Sequence, residues 1–371
     1  MQHPSNPVPR SGGPRPARRA LLALSAALML TMTLGGVVAQ TVRLATHDSF
    51  ALPEALVDAF QEETGIRIDL LSAGDAGEMV NRALLIRPRP LADAMFGIDD
   101  ALIAREGAAE LFAPYRSAHL DAVPDDLRFA DDVVAPVTVG YVAFNLDLAG
   151  LHERGLSRPT DLTDLTSSEL HGATVVPDPA TSSPGLAFLL TTVARFGEGG
   201  SYDWLDYWAD LRDADVRVVG GWSDAYYTWF SRYGGDRPIV LSYLTSPAAE
   251  VIFADQELDE APTANLLCDR CVWRQIEAAG VLRGARDVEA AQAVVDFLLS
   301  PEVQAAVPEA MFVHPARSGV ALPDAFTSYA PRPEPDQVAT LTGDTIEAHQ
   351  ARWLEQWTQV VRQGRDPSEV R

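Results

Sequence analysis

Apolar and polar residues alternate in TVRLATH (41–47), which predicts a short strand. In the following SFALPEALVDAFQEETGIRIDLLSAG, apolar Leu56, Val57 and Phe60 share one helical face. Gly65 then stops the helix, and IRIDLLS reads as a second strand. AGEMVNRALLI (76–86) predicts another helix and LADAMFGID (91–99) a buried strand. This alternation predicts α/β layering on a parallel sheet.

The pattern changes at DDVVAPVTVGYVAFNLDL (131–148), a β-rich run long enough to cross from one lobe into another. Alternation resumes with ATVVPDP as strand, SSPGLAFLLTTVARFG as helix, an aromatic helix through YDWLDYWADLR, strand VRVVG and a helix from Ser223. RPIVLSYLTSP and CVWRQIEAAGVL predict strands, the second a return crossing. DVEAAQAVVDFLLSPEVQAAV is a helix pair broken at Pro301, and TIEAHQARWLEQWTQVVRQ is a closing helix with Trp353 and Trp357 on one face. The organisation expected is one lobe over 40–135 with a returning segment near 275–320, and a second over 136–274 with 321–371. A cleft between such lobes is a common ligand site.

Residues 1–39 read differently. Four arginines and no acid precede an apolar run from Ala20 to about Leu34, and Val37-Val38-Ala39 offers a cleavage site before Gln40. This is the pattern of a secretory signal peptide, so an extracytoplasmic location is expected. No cysteine near the cleavage site suggests a lipid anchor, and no later stretch is apolar enough to insert in a membrane. The net charge is −23, every basic residue apart from histidine is arginine, and removing the leader makes the chain more acidic. Such a surface argues against nucleic acid as a partner. The two cysteines, Cys268 and Cys271, are expected to form a small structural disulfide in an exported chain.

Candidate chemistry is sparse. GWSDA (221–225) approaches a nucleophile elbow but has Ala225 where glycine belongs, so Ser223 is read as a helix N-cap. Adjacent Tyr226 and Tyr227 could bind ferric iron as phenolates, although a helix would point them about 100° apart and put one in the core. Ser182 or Ser183, before Pro184, could cap a helix whose N-terminus would suit an anion.

Several stretches in order, THDSF (46–50), GDAGEMVNRAL (74–84), GIDDALI (97–103), PVTVGYVAFNLD (136–147), DPATSSPGL (178–186), GGWSDAY (220–226), LSYLTSPA (241–248) and SPEVQAAVPEAMFVHP (300–315), resemble the periplasmic thiamine-binding proteins of bacterial ABC transporters. The resemblance implies a two-lobed type II periplasmic-binding-protein fold with extended hinge crossings. It implies capture of thiamine or its phosphates, delivery to a transporter permease and its ATPase, no cofactor and no catalytic step. It assigns Trp222 as the cleft tryptophan, Tyr243 as a ligand-contacting tyrosine, Ser182 (or neighbouring Ser183) as the phosphate-side serine and Asp75 as the acidic loop residue. An aromatic face would stack on the pyrimidine and attract the cationic thiazolium, and a carboxylate would balance its charge. Trp229 and Phe230 are expected to pack inside the lobe.

The sequence departs from that family at His47, Ala76 and Ala249. His47 still offers a flat ring, and Tyr226 or Tyr227 could replace the ring absent at Ala249. Two other readings are a ferric-ion carrier using Tyr226 and Tyr227, and a thiaminase-like enzyme with a cysteine nucleophile.

Overall fold

The computed structural model describes residues 40–371 except Glu257 and Asp259; the signal-peptide reading of 1–39 lies outside the described residues. Among the described residues eleven strands form a single sheet: β1 (Gln40–Thr46), β2 (Ile66–Ser72), β3 (Ala94–Asp99), β4 (Ala135–Asp147), β5 (Thr174–Pro177), β6 (Arg217–Val219), β7 (Ile239–Tyr243), β8 (Thr263–Asn265), β9 (Val272–Val281), β10 (His314–Pro315) and β11 (Val338–Ala339). The main path runs β2-β1-β3-β9-β4-β7-β5-β6.

The sheet is mixed, which corrects the expectation of a parallel one. β1 pairs parallel with β2 and β3, and β5 parallel with β6 and β7. In the middle, β9 runs antiparallel to both β3 and β4, and β4 antiparallel to β7. Strand–helix alternation dictates parallel pairing only within each end of the sheet, where right-handed crossovers apply. The two long strands join those ends in opposite senses.

Helix Glu54–Thr64 ends at Gly65 in the left-handed conformation, as its sequence predicts. Its Phe60 meets Phe297 of helix Val288–Leu298 at 4.5 Å between ring centres. These helices cover one face of the β1-β3 end, over Val42, Leu44, Phe96 and Val281. Every residue of β3 is buried, so its run is apolar instead of alternating.

At the other end helix Ser183–Phe196 is buried along most of its length. Trp208 of helix Trp204–Asp213 donates to Thr192 at 2.9 Å and meets Trp357 edge-on at 5.7 Å. Trp353 and Trp357 both point inward from the Gly343–Trp357 helix, as their spacing predicts. These buried rings help fix the C-terminal helix to this end.

The two cysteines are free thiols, against the expected disulfide. The Cys271 sulfur accepts from the Cys268 amide at 2.6 Å and donates to the Cys268 carbonyl at 3.1 Å, so it closes the loop by hydrogen bonding.

Candidate functional site

Two cross-strand pairs set the floor of the site. In the β4–β9 ladder Gly140 faces Gln275 and Thr138 faces Glu277. Side chains alternate along a strand, so these positions share one face. Thr138 donates to Glu277 at 2.7 Å. Gly140 is needed for close approach: a Cβ there would lie 2.8 Å from the Tyr243 ring, which occupies that space.

His47 follows β1 directly. Its ring packs on Phe96 at 5.4 Å, and Nδ1 is 2.9 Å from the Ser49 hydroxyl. The opposite nitrogen, Nε2, is buried 3.5 Å from Glu277 and makes no hydrogen bond among the described residues. Gly97 makes room for this ring. It sits at a register shift in β3 with φ +102°, and a Cβ would come within 2.6 Å of His47 Cδ2.

Trp222 opens a short helical segment that continues as a π-turn over Ala225–Trp229. Ser223 is therefore not the N-cap: Gly221 is, and it has no side chain to do the capping. The missing acceptor comes from 147 residues away, where Asp75 Oδ2 receives the Trp222 amide at 2.8 Å. Asp75 Oδ1 receives the Ser183 amide at 3.1 Å, so one carboxylate satisfies the first turns of two chain segments. Burial raises the Asp75 pKa, and the Trp222 amide opposes that rise.

The π-turn brings several rings together. Trp222 stacks on Tyr226 at 5.0 Å and 19°, and meets Tyr227 and Tyr243 edge-on at 5.6 and 6.2 Å. The Trp222 indole is oriented by its N–H, which donates to Ser242 at 2.8 Å. Tyr226 is buried, whereas Tyr227 is 54% exposed, the division that helical spacing predicts. Tyr226 donates to Glu250 at 2.7 Å, and burial together with that carboxylate holds its phenol well above the ordinary value. A proton firmly held there makes Tyr226 a poor phenolate ligand for iron. Phe230 is fully buried, and Trp229 is half-buried under the Arg217 guanidinium at 3.7 Å.

These groups enclose a cavity of about 440 Å³. Of the sequence-derived residues, His47, Asp75, Ala76, Ser183, Trp222, Tyr226 and Tyr243 line it. Ser182 does not. It is fully buried beneath the helix start; its hydroxyl makes no well-formed hydrogen bond, although it lies close enough to act on Asp75. Ala249 also lines the cavity, and the wall near it is supplied by Phe253 and Phe312, 4.5 Å apart. Sequence reasoning missed those two rings, Tyr233, Glu250 and Glu277. A glutamate within a strand pattern, as Glu277, or inside a helix, as Glu250, carries no local mark of function.

Charge in this cavity is one-sided. Asp48, Asp75, Glu250 and Glu277 line it, and no arginine is among the described lining residues. Burial raises the Glu250 pKa, opposed by the Tyr226 and Thr263 hydroxyls. Arg232, outside the lining, lies 3.6 Å from Glu250; the rings and the remaining carboxylates suit a flat, positively charged guest. Neither cysteine is on the wall, so no thiol faces the guest.

Comparison with known proteins agrees with this architecture. The chain is 29% identical over 320 residues to the thiamine-binding periplasmic proteins of Salmonella typhimurium and Escherichia coli, covering 85% of this chain and 92% of each relative. A solved periplasmic thiamin binding protein superposes with a TM-score of 0.74 at 27% identity, over 86% of this chain and 96% of that one. Iron-bound HitA of Pseudomonas aeruginosa shares the fold at a TM-score of 0.66 and 20% identity, over 85% of this chain and 98% of that one. The model of the bacterial extracellular solute-binding proteins matches residues 55–334. With that match over most of its length, the chain belongs to the bacterial extracellular solute-binding protein family, the non-enzymatic solute carriers of ABC transport.

Proposed function

We propose that the protein captures thiamine as the free cation and delivers it to an ABC transporter permease powered by its ATPase. The observation that carries this reading is the pairing of the Trp222–Tyr226–Tyr243 rings with four carboxylates in one cavity that no arginine lines among the described residues. The rings would stack on the pyrimidine and thiazolium, and Asp75, Glu250 or Glu277 would balance the charge.

The same lining favours thiamine over its phosphates. Ser182 lies off the cavity, and the Ser183 amide is already donated to Asp75. A phosphate would meet four carboxylates and no arginine among the described lining residues. Export by the 1–39 leader would place the chain in the periplasm, and the thiamine-binding relatives are themselves periplasmic by name.

In this reading the cavity closes between a lobe of 40–135 with 275–320 and a lobe of 136–274 with 321–371. Asp75 of the first would then hold Ser183 and Trp222 of the second, so ligand capture and the Asp75 bonds would form together. Calorimetric titration of the mature protein with thiamine, thiamine monophosphate and thiamine diphosphate tests the proposal. Tight binding of thiamine, weaker binding of the esters and sharp loss in Trp222→Ala are expected. Preference for either ester would overturn the charge argument, and indifference to all three would overturn the ligand.

A further inference from the structure

The ladder that floors the cleft has a second face. Gly140 and Gln275 look into the cleft, so their neighbours Tyr141 and Arg274, themselves a cross-strand pair, look away from it. Behind them is a separate cavity of about 320 Å³. The chain passes from Val313, on the cleft wall, to His314, on the wall of this one. The two cavities thus lie back to back across β4, β9 and β10.

The charge of the rear cavity is the reverse of the cleft's. Arg274, Arg317 and Arg332 line it, in a chain with 52 acidic residues against 29 arginines, and Asp126 is the single carboxylate among the described lining residues. Arg274 holds that carboxylate at 2.9 Å. The Arg317 guanidinium has one long bond, 3.4 Å to the Leu299 carbonyl. Arg332 makes no hydrogen bond or ion pair among the described residues. The charges of Arg317 and Arg332 thus have no carboxylate partner among the described residues.

His314 adds a second, independent observation. It is 2% exposed, packed edge-on between Tyr141 at 5.9 Å and Phe326 at 5.6 Å, and neither ring nitrogen has a hydrogen-bond partner among the described residues. Buried polar groups are nearly always satisfied, so an orphaned imidazole on a cavity wall calls for a guest. Burial, with the Arg332 charge, pushes its pKa down to about 4. At neutral pH it is an uncharged ring with one N–H to give.

We propose that this rear cavity is a second binding site, for a small oxyanion of the carboxylate or phosphate class. Arg317 and Arg332 supply the charge, Arg274 shares its guanidinium between Asp126 and the guest, and His314 donates a hydrogen bond. Guanidinium groups suit such oxygens because their N–H pairs match them two at a time. The site does not depend on what the cleft carries.

The test is calorimetric titration of the mature protein with inorganic phosphate and with citrate at low ionic strength, against chloride at matched ionic strength. Imidazole nitrogen resonances are recorded in parallel. We expect one saturable site for phosphate or citrate, movement of the His314 resonances, and at least about tenfold weakening in Arg332→Gln. Which probe binds more tightly separates phosphate from carboxylate guests. Arg332 is exposed and unpaired, so that variant keeps its fold, and Trp222→Ala should leave anion binding unchanged. Absence of saturable binding for both probes would overturn the proposal. So would an equal response to chloride, or affinity indifferent to Arg332→Gln.

Discussion

Asp75 and Trp222 are 147 residues apart, and the carboxylate of one receives the backbone amide of the other at 2.8 Å. The same carboxylate takes the Ser183 amide at 3.1 Å. The acid that the sequence suggests as a ligand contact is therefore also the group that positions the cleft tryptophan. Asp75→Ala leaves two amides without acceptors, and bonds to a charged group are worth about 1.5–3 kcal/mol each. Thiamine affinity and melting temperature should both fall. Asp75→Asn keeps one acceptor oxygen and should fall between wild type and Ala in both measurements.

Trp222 stacks on Tyr226 and is steered by Ser242. A desolvated cation–π contact is worth about 2 kcal/mol, so Trp222→Ala should weaken thiamine by about thirtyfold or more. Ser242→Ala, which frees the indole but keeps the ring, should cost only about 1 kcal/mol. Equal effects from the two would mean that the ring face contributes nothing.

Glu250 lies on the cavity wall and accepts from Tyr226 and Thr263. Glu250→Gln keeps one acceptor oxygen for the Tyr226 and Thr263 hydroxyls, which use separate oxygens of the carboxylate, and removes the charge. Thiamine binding should weaken by about tenfold, and its dependence on salt should become shallower. A neutral pyrimidine lacking the thiazolium should bind both proteins alike.

His314 and the partly buried Asp100 pull stability in opposite directions as pH changes. His314 falls to about 4 in the folded protein from 6.5. The unfolded chain then binds the proton first, so this group's penalty is absent above pH 6.5 and grows as pH falls toward 4, by roughly 3 kcal/mol. Burial raises Asp100 from 3.8 to about 6, so there the folded state holds the extra proton. Its contribution is present at low pH and is lost as pH rises through that window. Denaturant unfolding between pH 4 and 6.5 should show wild type minus His314→Gln rising with pH, and wild type minus Asp100→Asn falling.

Cys268 is the thiol to watch in reduced protein. Its pKa is lowered by hydrogen bonding from Cys271 and by the Arg195 charge, although burial opposes this, whereas Cys271 is raised by Cys268 and by burial. Alkylation near neutral pH should modify Cys268 first, and mass spectrometry of the Cys268→Ser variant should show that fast step gone.

Most of the elements were legible from local pattern. Strand Ile66–Ser72, the Gly65 stop and the inward Trp353 and Trp357 follow from periodicity and glycine chemistry, which act over a few residues. His47, Asp75, Trp222 and Tyr243 came from ordered motifs instead, since nothing in their immediate neighbours marks them as a site. Only the tertiary structure decided the antiparallel middle of the sheet, because strand direction depends on which end of the molecule a crossing returns from. It also decided that Asp75, rather than Ser223, caps the Trp222 turn, and that Glu250, Glu277, Phe253 and Phe312 line one cavity. A helix start accepts any oxygen that reaches it, and a cavity's charge is the sum of side chains brought together from distant segments. Neither quantity is written in local sequence, so both had to wait for the fold.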